Sequence, residues 1–393
     1  MEKINSADTE AMRCFEVQRR FASRARITNA ALLFLLSVAI IFAAIWVWVA
    51  PQKSFSENEN RYLRTRGDID LKSSFFEIAE QISGMYADQF LLRDKMITAK
   101  AIAELALLKG ENNGVLVRGG ALAARSEYSL EEKQNIIKNI SAIEKFSNNV
   151  KSSGANVVFA LAPRSVDVLF EDFCGAEAVW QLLRDTEYID FRSAIKTHNN
   201  EYVWFKTDHH WTSLGAYYVY CELSGALGYE ALPISDFEEV CVSEEFFGTA
   251  WSKSGAYWSD PDRINAFFAE GDESYYIYDE EKEKQLDFGL YDAAKLSIKD
   301  KYSFFLGGDH GHIKISNGAE KPRLIVVKDS YFNSVAPFLC RHFELDVIDL
   351  RYFTGSVFEY AKEQGAENIL VLCGLDSLAC APTFTGLLYK TQG

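Results

Sequence analysis

The sequence predicts an α/β protein, a parallel sheet flanked by helices, held to a membrane by one N-terminal transmembrane helix. Three observations point there. Ala30 to Ala50 is an apolar run broken only by Ser37, long enough to cross the ~30 Å hydrocarbon core of a bilayer as a helix. Short continuous apolar runs near the C-terminus alternate with helical patterns, which implies a parallel sheet with right-handed crossovers. Nearly half of the 393 residues are hydrophobic (48%) and a quarter are charged (25%), the balance of a folded chain rather than a disordered one. The net charge of −15 argues against a nucleic-acid partner, because phosphate binding needs a basic face. Nineteen Tyr and seven Trp suit a carbohydrate-facing surface and a packed core equally. Seven Cys show no CxxC pair and no zinc-like spacing.

Residues 1–29 form a polar tail carrying Arg13, Arg19, Arg20, Arg24 and Arg26. Trp46 and Trp48 stand near the outer end of the apolar run 30–50, where indoles favour the interface. The Arg cluster places the tail in the cytoplasm and everything after Pro51 outside. Cleavage after Ala50 would set Trp48 at −3 and Pro51 at +1, both poor for a signal peptidase, so the run reads as an uncleaved anchor. A polar linker occupies 51–70, and the outer domain 71–393. Phe75, Ile78, Ala79, Ile82 and Tyr86 recur at helical spacing, with Gly84 as a weak point. Asn113-Gly114 turns the chain into a short strand, Val115-Leu116-Val117. Ser129-Leu130-Glu131-Glu132 is a capping box, and Ile136, Ile137, Ile140, Ile143 and Phe146 line the helix behind it. That helix ends at Gly154, and Val157 to Leu161 reads as a buried parallel strand. Another strand is expected over Tyr188 to Phe191, and strand-like residues 202–206 lead to Thr207-Asp208-His209-His210-Trp211-Thr212. A helix over Leu214 to Leu227 follows. Residues 235–300, where aromatics alternate with acids, read as an insertion with some β structure. Regularity returns with Arg323 to Val327, a helix from Ser330 to Cys340, strands at Asp346 to Leu350 and Asn368 to Leu372, and a helix over 355–364 between them.

Asp208 and His210 can supply two members of a catalytic triad: a carboxylate fixes the imidazole tautomer and stabilises its charge, while the imidazole moves protons. Ser330 is the candidate nucleophile. It follows a buried strand and precedes a helix, and the N–H groups of Ser330 and Tyr331 could face a developing oxyanion. The plainer reading makes Ser330 only a helix N-cap. A metal site is the competing chemistry: Asp208, His209 and His210, with His310 and His312 of Gly308-Asp309-His310-Gly311-His312, are metal-ligating residue types.

The Asp-His-His-Trp stretch, the block Lys328-Asp329-Ser330-Tyr331 and the linker Ser56-Glu57-Asn58-Glu59-Asn60-Arg61 together resemble the bacterial DHHW proteins. These belong with the SGNH-hydrolase-like proteins of alginate and other exopolysaccharide O-acetylation. The resemblance runs from about Phe55 to Leu378. In the alginate relatives the motif is Thr-Asp-x-His-Trp, whose Asp and His join a distant Ser. Carried over, this implies Asp208 as orienter, His210 as base and Ser330 as nucleophile, a permuted order for an SGNH fold. His209 departs from the alginate type, where that position is not ionisable. The SGNH oxyanion residues are not identifiable by spacing; Tyr331, Asn333, Gly307, Gly308 and Arg351 are the candidates. Trp211, with Trp251, Tyr257 and Trp258, could pack on sugar faces or belong to the core. The resemblance implies acetyl transfer to a cell-surface or secreted polysaccharide, with a multi-spanning membrane acyltransferase as acyl donor and neither cofactor nor metal. An acetylesterase using the same acyl-Ser intermediate and a non-catalytic glycan-binding adaptor are the alternatives.

Overall fold

The computed structural model describes residues 6–124, 127–151, 154–170 and 179–388. Met1 to Asn5, the start of the expected cytoplasmic tail, and the side chains of Cys14 and Cys174 lie outside the described residues. Two compact units are formed: one by residues up to Glu57 with Arg61–Ile97, the other by Asn58–Asn60 with Thr98 onward.

The first unit is built on one helix, Ser6–Val49. Its segment Thr28–Val49 has a mean hydropathy of 2.8 and is only 6% buried, long and apolar enough to cross a membrane. The expected helix after the linker is present as Phe75–Asp88, opened by a capping box in which Ser74 Oγ accepts from Glu77 N and Glu77 accepts from Ser74 N.

The second unit is organised on an eight-stranded sheet. Its order is Lys284–Gln285, Tyr276–Asp279, His312–Ser316, Glu344–Ile348, Arg323–Lys328, Asn368–Gly374, Asn156–Ala162 and Ile189–Asp190. The last five pair in parallel and the first three are antiparallel. The run Leu324-Ile325-Val326-Val327 is unbroken because both faces are covered. Leu324 and Val326 enter a core shared with the helix Ser213–Leu227. Ile325 and Val327 enter the opposite one, shared with the helices Leu130–Lys151 and Val357–Gln364. This is the helix-flanked, largely parallel α/β sheet that the sequence implies.

Several local expectations change. Tyr188 to Phe191 yields only Ile189–Asp190 as strand, because Asp190 already caps a helix that begins at Phe191. Residues 202–206 form no sheet strand. They fold back on the Asp-His-His-Trp stretch, with one bridge between Trp204 and Trp211 and a bond from Phe205 N to His210 O of 3.3 Å. The expected helix from Ser330 to Cys340 is a 3-10 turn, Ser330–Ser334, followed by the short helix Ala336–Leu339; Pro337 lacks the N–H that a continuous helix would use. Within 235–300, Glu238–Phe246 pairs with Asp262–Phe268 as a bulged hairpin, and Tyr276–Asp279 joins the main sheet. That segment supplies structure to the site as well as to the sheet edge.

Candidate active site

The chain runs from Arg323–Lys328 to one neighbour, Glu344–Ile348, and then crosses to the other, Asn368–Gly374. The strand order therefore reverses at Arg323–Lys328, and the carboxyl end of such a strand opens a crevice in a parallel sheet. Ser330 sits there. Asp329, extended at φ −115° and ψ −169°, is the residue that caps the following turn, accepting from Tyr331 N at 3.0 Å. Its other oxygen accepts from Gly374 N and Ser377 Oγ at 2.7 and 2.5 Å. Burial raises the proton affinity of this carboxyl while those hydrogen bonds oppose the change. Because Asp329 does the capping, the Ser330 hydroxyl is not spent on the turn.

The hydroxyl meets His210 instead. Ser330 Oγ lies 2.8 Å from His210 Nε2, and His210 Nδ1 lies 2.6 Å from Asp208 Oδ1. Asp208, His210 and Ser330 thus form one hydrogen-bonded chain. Asp208 is buried, and burial alone would raise its proton affinity; the neighbouring His209 and His210, with the N–H of Thr249, hold it below the ordinary carboxylate range. The remaining oxygen, Oδ2, accepts from Thr249 N at 2.7 Å and Thr249 Oγ1 at 3.1 Å. Gly248 makes that approach possible: a Cβ there would stand 2.4 Å from Asp208 Oδ2.

The loop bearing Asp208 and His210 is held by a second buried carboxylate, Asp262. It accepts from Lys206 N, Thr207 N, Thr207 Oγ1 and Tyr202 Oη at 2.6–2.9 Å. From the other side, Tyr331 Oη donates to His209 O at 2.6 Å. The His210 ring lies flat on Tyr302, with centroids 3.9 Å apart and planes 8° apart. Tyr302 Oη in turn donates to Ser330 O at 3.1 Å and lies 3.1 Å from Ser334 Oγ. One phenol therefore contacts both the imidazole and the backbone of the serine it faces.

The candidates for oxyanion and substrate contacts are placed differently from the sequence reading. Tyr331 N–H is committed to Asp329 and its ring is buried. Gly308 N–H is committed to Phe305 O at 3.2 Å. Gly307 and Gly308, at φ 73° and 102°, turn the chain. Asn333 is buried, donating to Asp309 Oδ1 at 3.1 Å and accepting from Lys328 Nζ at 2.9 Å. Arg351 is held by Asp309 and Asp349 at 2.8 and 2.5 Å. Its charge is stabilised there despite partial burial, which works against it. Among the described residues the Ser330 N–H, first of the turn, has no committed partner, as the first N–H groups of such a turn do not. Trp211 is wholly buried, its Nε1 donating to Ser334 Oγ at 3.0 Å; it offers no face to a sugar and belongs to the core. Trp251 is also core, against Phe247 and Tyr257, whereas Trp258 is 46% exposed.

Asp208, His209 and His210 bring ligand-type atoms within 4.8 Å of one another. His310 and His312, which the competing metal reading would add to them, are paired elsewhere, with Asp279 and Asp346 at 3.7 Å each. Both ring nitrogens of His210 are already engaged by Asp208 and Ser330. His209 turns Nδ1 to Thr249 Oγ1 at 2.7 Å. Although that ring is 37% exposed, the surrounding protein and His210 hold it below the ordinary imidazole range.

Sequence reasoning missed Gly248, Thr249 and Asp262, which lie in the stretch without periodicity, and Tyr302 just after it. Asp309, in the stretch Gly308-Asp309-His310, is bonded to Lys328 at 2.6 Å.

Comparison with protein families matches residues 182–348 to the DHHW protein family. That span holds Asp208, His210 and Ser330. Among solved structures, a DHHW family protein from Eubacterium siraeum is similar, with a TM-score of 0.58, 23% identity, 72% of this chain covered and 98% of that one. PatB1 of Bacillus cereus, in a structure with a sulfonyl adduct, has a TM-score of 0.56, 19% identity and coverages of 68% and 98%. At these identities the DHHW likeness outside residues 182–348 is one of fold. No curated protein matches the chain.

Proposed function

We propose that this protein is a membrane-anchored, extracytoplasmic O-acyltransferase that acetylates hydroxyls of a cell-surface or secreted polysaccharide. The observation that carries the chemistry is the continuous chain Asp208–His210–Ser330 at 2.6 and 2.8 Å. Ser330 Oγ attacks the acyl carbon while His210 Nε2 takes its proton. Asp208 holds Nδ1–H and stabilises the imidazolium. The carbonyl oxygen becomes an oxyanion, for which the Ser330 N–H is the available donor. Collapse breaks the bond to the leaving oxygen, which receives the proton from His210, and leaves acyl-Ser330. A sugar hydroxyl then attacks this ester; His210 takes the hydroxyl proton and returns it to Ser330, releasing the acetylated sugar. The DHHW resemblance favours a sugar over water as acceptor. The Arg-rich tail before Thr28–Val49 supports an outward-facing domain, and a multi-spanning membrane protein is the fitting acyl donor.

The test uses the full chain and a generic acetyl ester. Wild type acquires an acetyl group on Ser330 rapidly and loses it slowly in water. An oligosaccharide acceptor accelerates release and becomes acetylated. Ser330→Ala and His210→Ala each lower turnover by about 10⁴-fold or more, and the double variant is little worse than either. Acetate release at one rate with or without acceptor, and no modified sugar, would make the protein an esterase. Activity that survives Ser330→Ala and disappears with chelators would move the chemistry to a metal.

A further inference from the structure

We infer that the helix Phe75–Asp88 lies against the same bilayer that Thr28–Val49 crosses, with Leu71, Phe75 and Phe76 in its outer leaflet. This rests on the reading of Thr28–Val49 as a membrane span.

The first observation is exposure. Leu71, Phe75 and Phe76 are 81%, 80% and 84% exposed. Single exposed apolar side chains are ordinary, but a cluster this bare marks a surface meant for contact. The second is attachment. Trp48 Nε1 donates to Tyr86 Oη at 2.6 Å, and Tyr86 Oη donates to Ala44 O at 3.3 Å. One turn further along, Lys53 N donates to Gln89 Oε1 at 3.1 Å and Gln89 Nε2 donates to Lys53 O at 2.9 Å. Passing from Tyr86 to Gln89 leads from Ala44 and Trp48 on the first helix to Lys53, beyond its end at Val49. Passing back from Gln89 through Tyr86 therefore leads toward the apolar span. Ala44 lies about 8 Å inside the end of that span, so Tyr86 meets the first helix within the apolar run.

The third observation is the stripe. Phe75, Ala79, Ile82 and Tyr86 follow the i, i+4, i+7, i+11 spacing of one helix face. Tyr86 uses that face to bond the first helix; Phe75 and Ala79, further back on it, are exposed. Glu77 and Glu80 fall on the far side. An apolar face that starts on the span and then stands bare beside it has lipid chains as its fitting occupant. A protein partner would need to enter the same space.

The test places the full chain in phosphatidylcholine nanodiscs, with Leu71→Trp, Phe75→Trp and Phe76→Trp as separate variants. Chain-brominated lipid quenches indoles within the bilayer, and aqueous iodide quenches those in water. Loss of part of the wild-type emission to bromine reports Trp46 and Trp48 and tests the span itself. The inference expects the emission added by each variant to be blue-shifted, mostly lost to bromine and spared by iodide. Wild-type quenching with added emission that only iodide removes overturns the lipid contact while leaving the span intact. Wild-type emission untouched by bromine overturns the span, and the inference with it. Added indoles that are shielded only in native membranes assign the face to a protein partner instead.

Discussion

Replacing Gly248 with Ala adds one methyl group, and the structure says where it goes. At φ −79° and ψ −170° the backbone there is open to any residue, so the glycine is required for space alone. The new Cβ would stand 2.3 Å from Asp208 Cβ, 2.4 Å from Oδ2 and 2.7 Å from Cα. None of these is the free end of a flexible side chain, because Asp208 is buried and pinned by Thr249 and His210. Relief to ordinary contact requires a displacement of about 1 Å, enough to break hydrogen bonds that lose their strength beyond roughly 3.5 Å. A misplacement of that size costs about 10²-fold, and complete loss of the carboxylate's orienting role costs about 10⁴-fold. Acylation of Ser330 by an acetyl ester should therefore slow by about 10²- to 10⁴-fold, read by mass spectrometry of the acyl-enzyme. Gly225→Ala is the matched control. That glycine lies within Ser213–Leu227, and a Cβ there meets nothing within 4 Å, so the variant should keep full activity. Circular dichroism and thermal unfolding establish that both variants are folded. A folded Gly248→Ala protein that acylates at the wild-type rate would refute the argument that Asp208, clamped by this turn, orients His210.

The other expectations concern the surroundings of the same chain of bonds. Tyr302→Leu removes the ring face under His210, worth about 0.5–2 kcal/mol to an imidazolium. It should slow acylation by about 3- to 30-fold. Tyr302→Phe keeps the face and should keep most of the rate; equal losses in both variants would discard the stacking argument. Asp262→Asn turns an amide toward donors that now share a carboxylate, and should cost about 1–3 kcal/mol in denaturant unfolding. An unchanged midpoint would mean that the loop is held otherwise. Burial alone would raise the pKa of Asp309, but the charges of Lys328 and Arg351 outweigh it and hold the group well below the ordinary range. Such a depressed carboxyl contributes stability that is present above its unfolded value of about 4 and lost as pH falls through its folded value. Lys328→Met should therefore unfold at a higher pH on acidification than wild type. Coincident acid transitions would show that the pair contributes nothing to the pH dependence.

Patterns carried by neighbours in sequence were legible before any coordinates. The apolar run 30–50, the capping box at Ser129, and the buried strands read at 157–161, 323–327 and 368–372 are local or periodic signals, and each appears where its pattern stands. Asp208, His210 and Ser330 were legible as residue types at suggestive positions and through the family resemblance. Their convergence across 120 positions was decided by the reversal of strand order at Arg323–Lys328. Trp211 could not be assigned to core or surface from its spacing, and packing settled it by burying the ring. Gly248, Thr249, Asp262 and Tyr302 left no periodic trace because each acts through one contact rather than through a repeating face. A hydrogen bond to Asp208 Oδ2, a carboxylate under Thr207 and a ring under His210 depend on where distant backbone segments come to rest. The sequence alone therefore determined the sheet, the anchor pattern and the reactive residue types; only the tertiary structure decided which groups hold them in place.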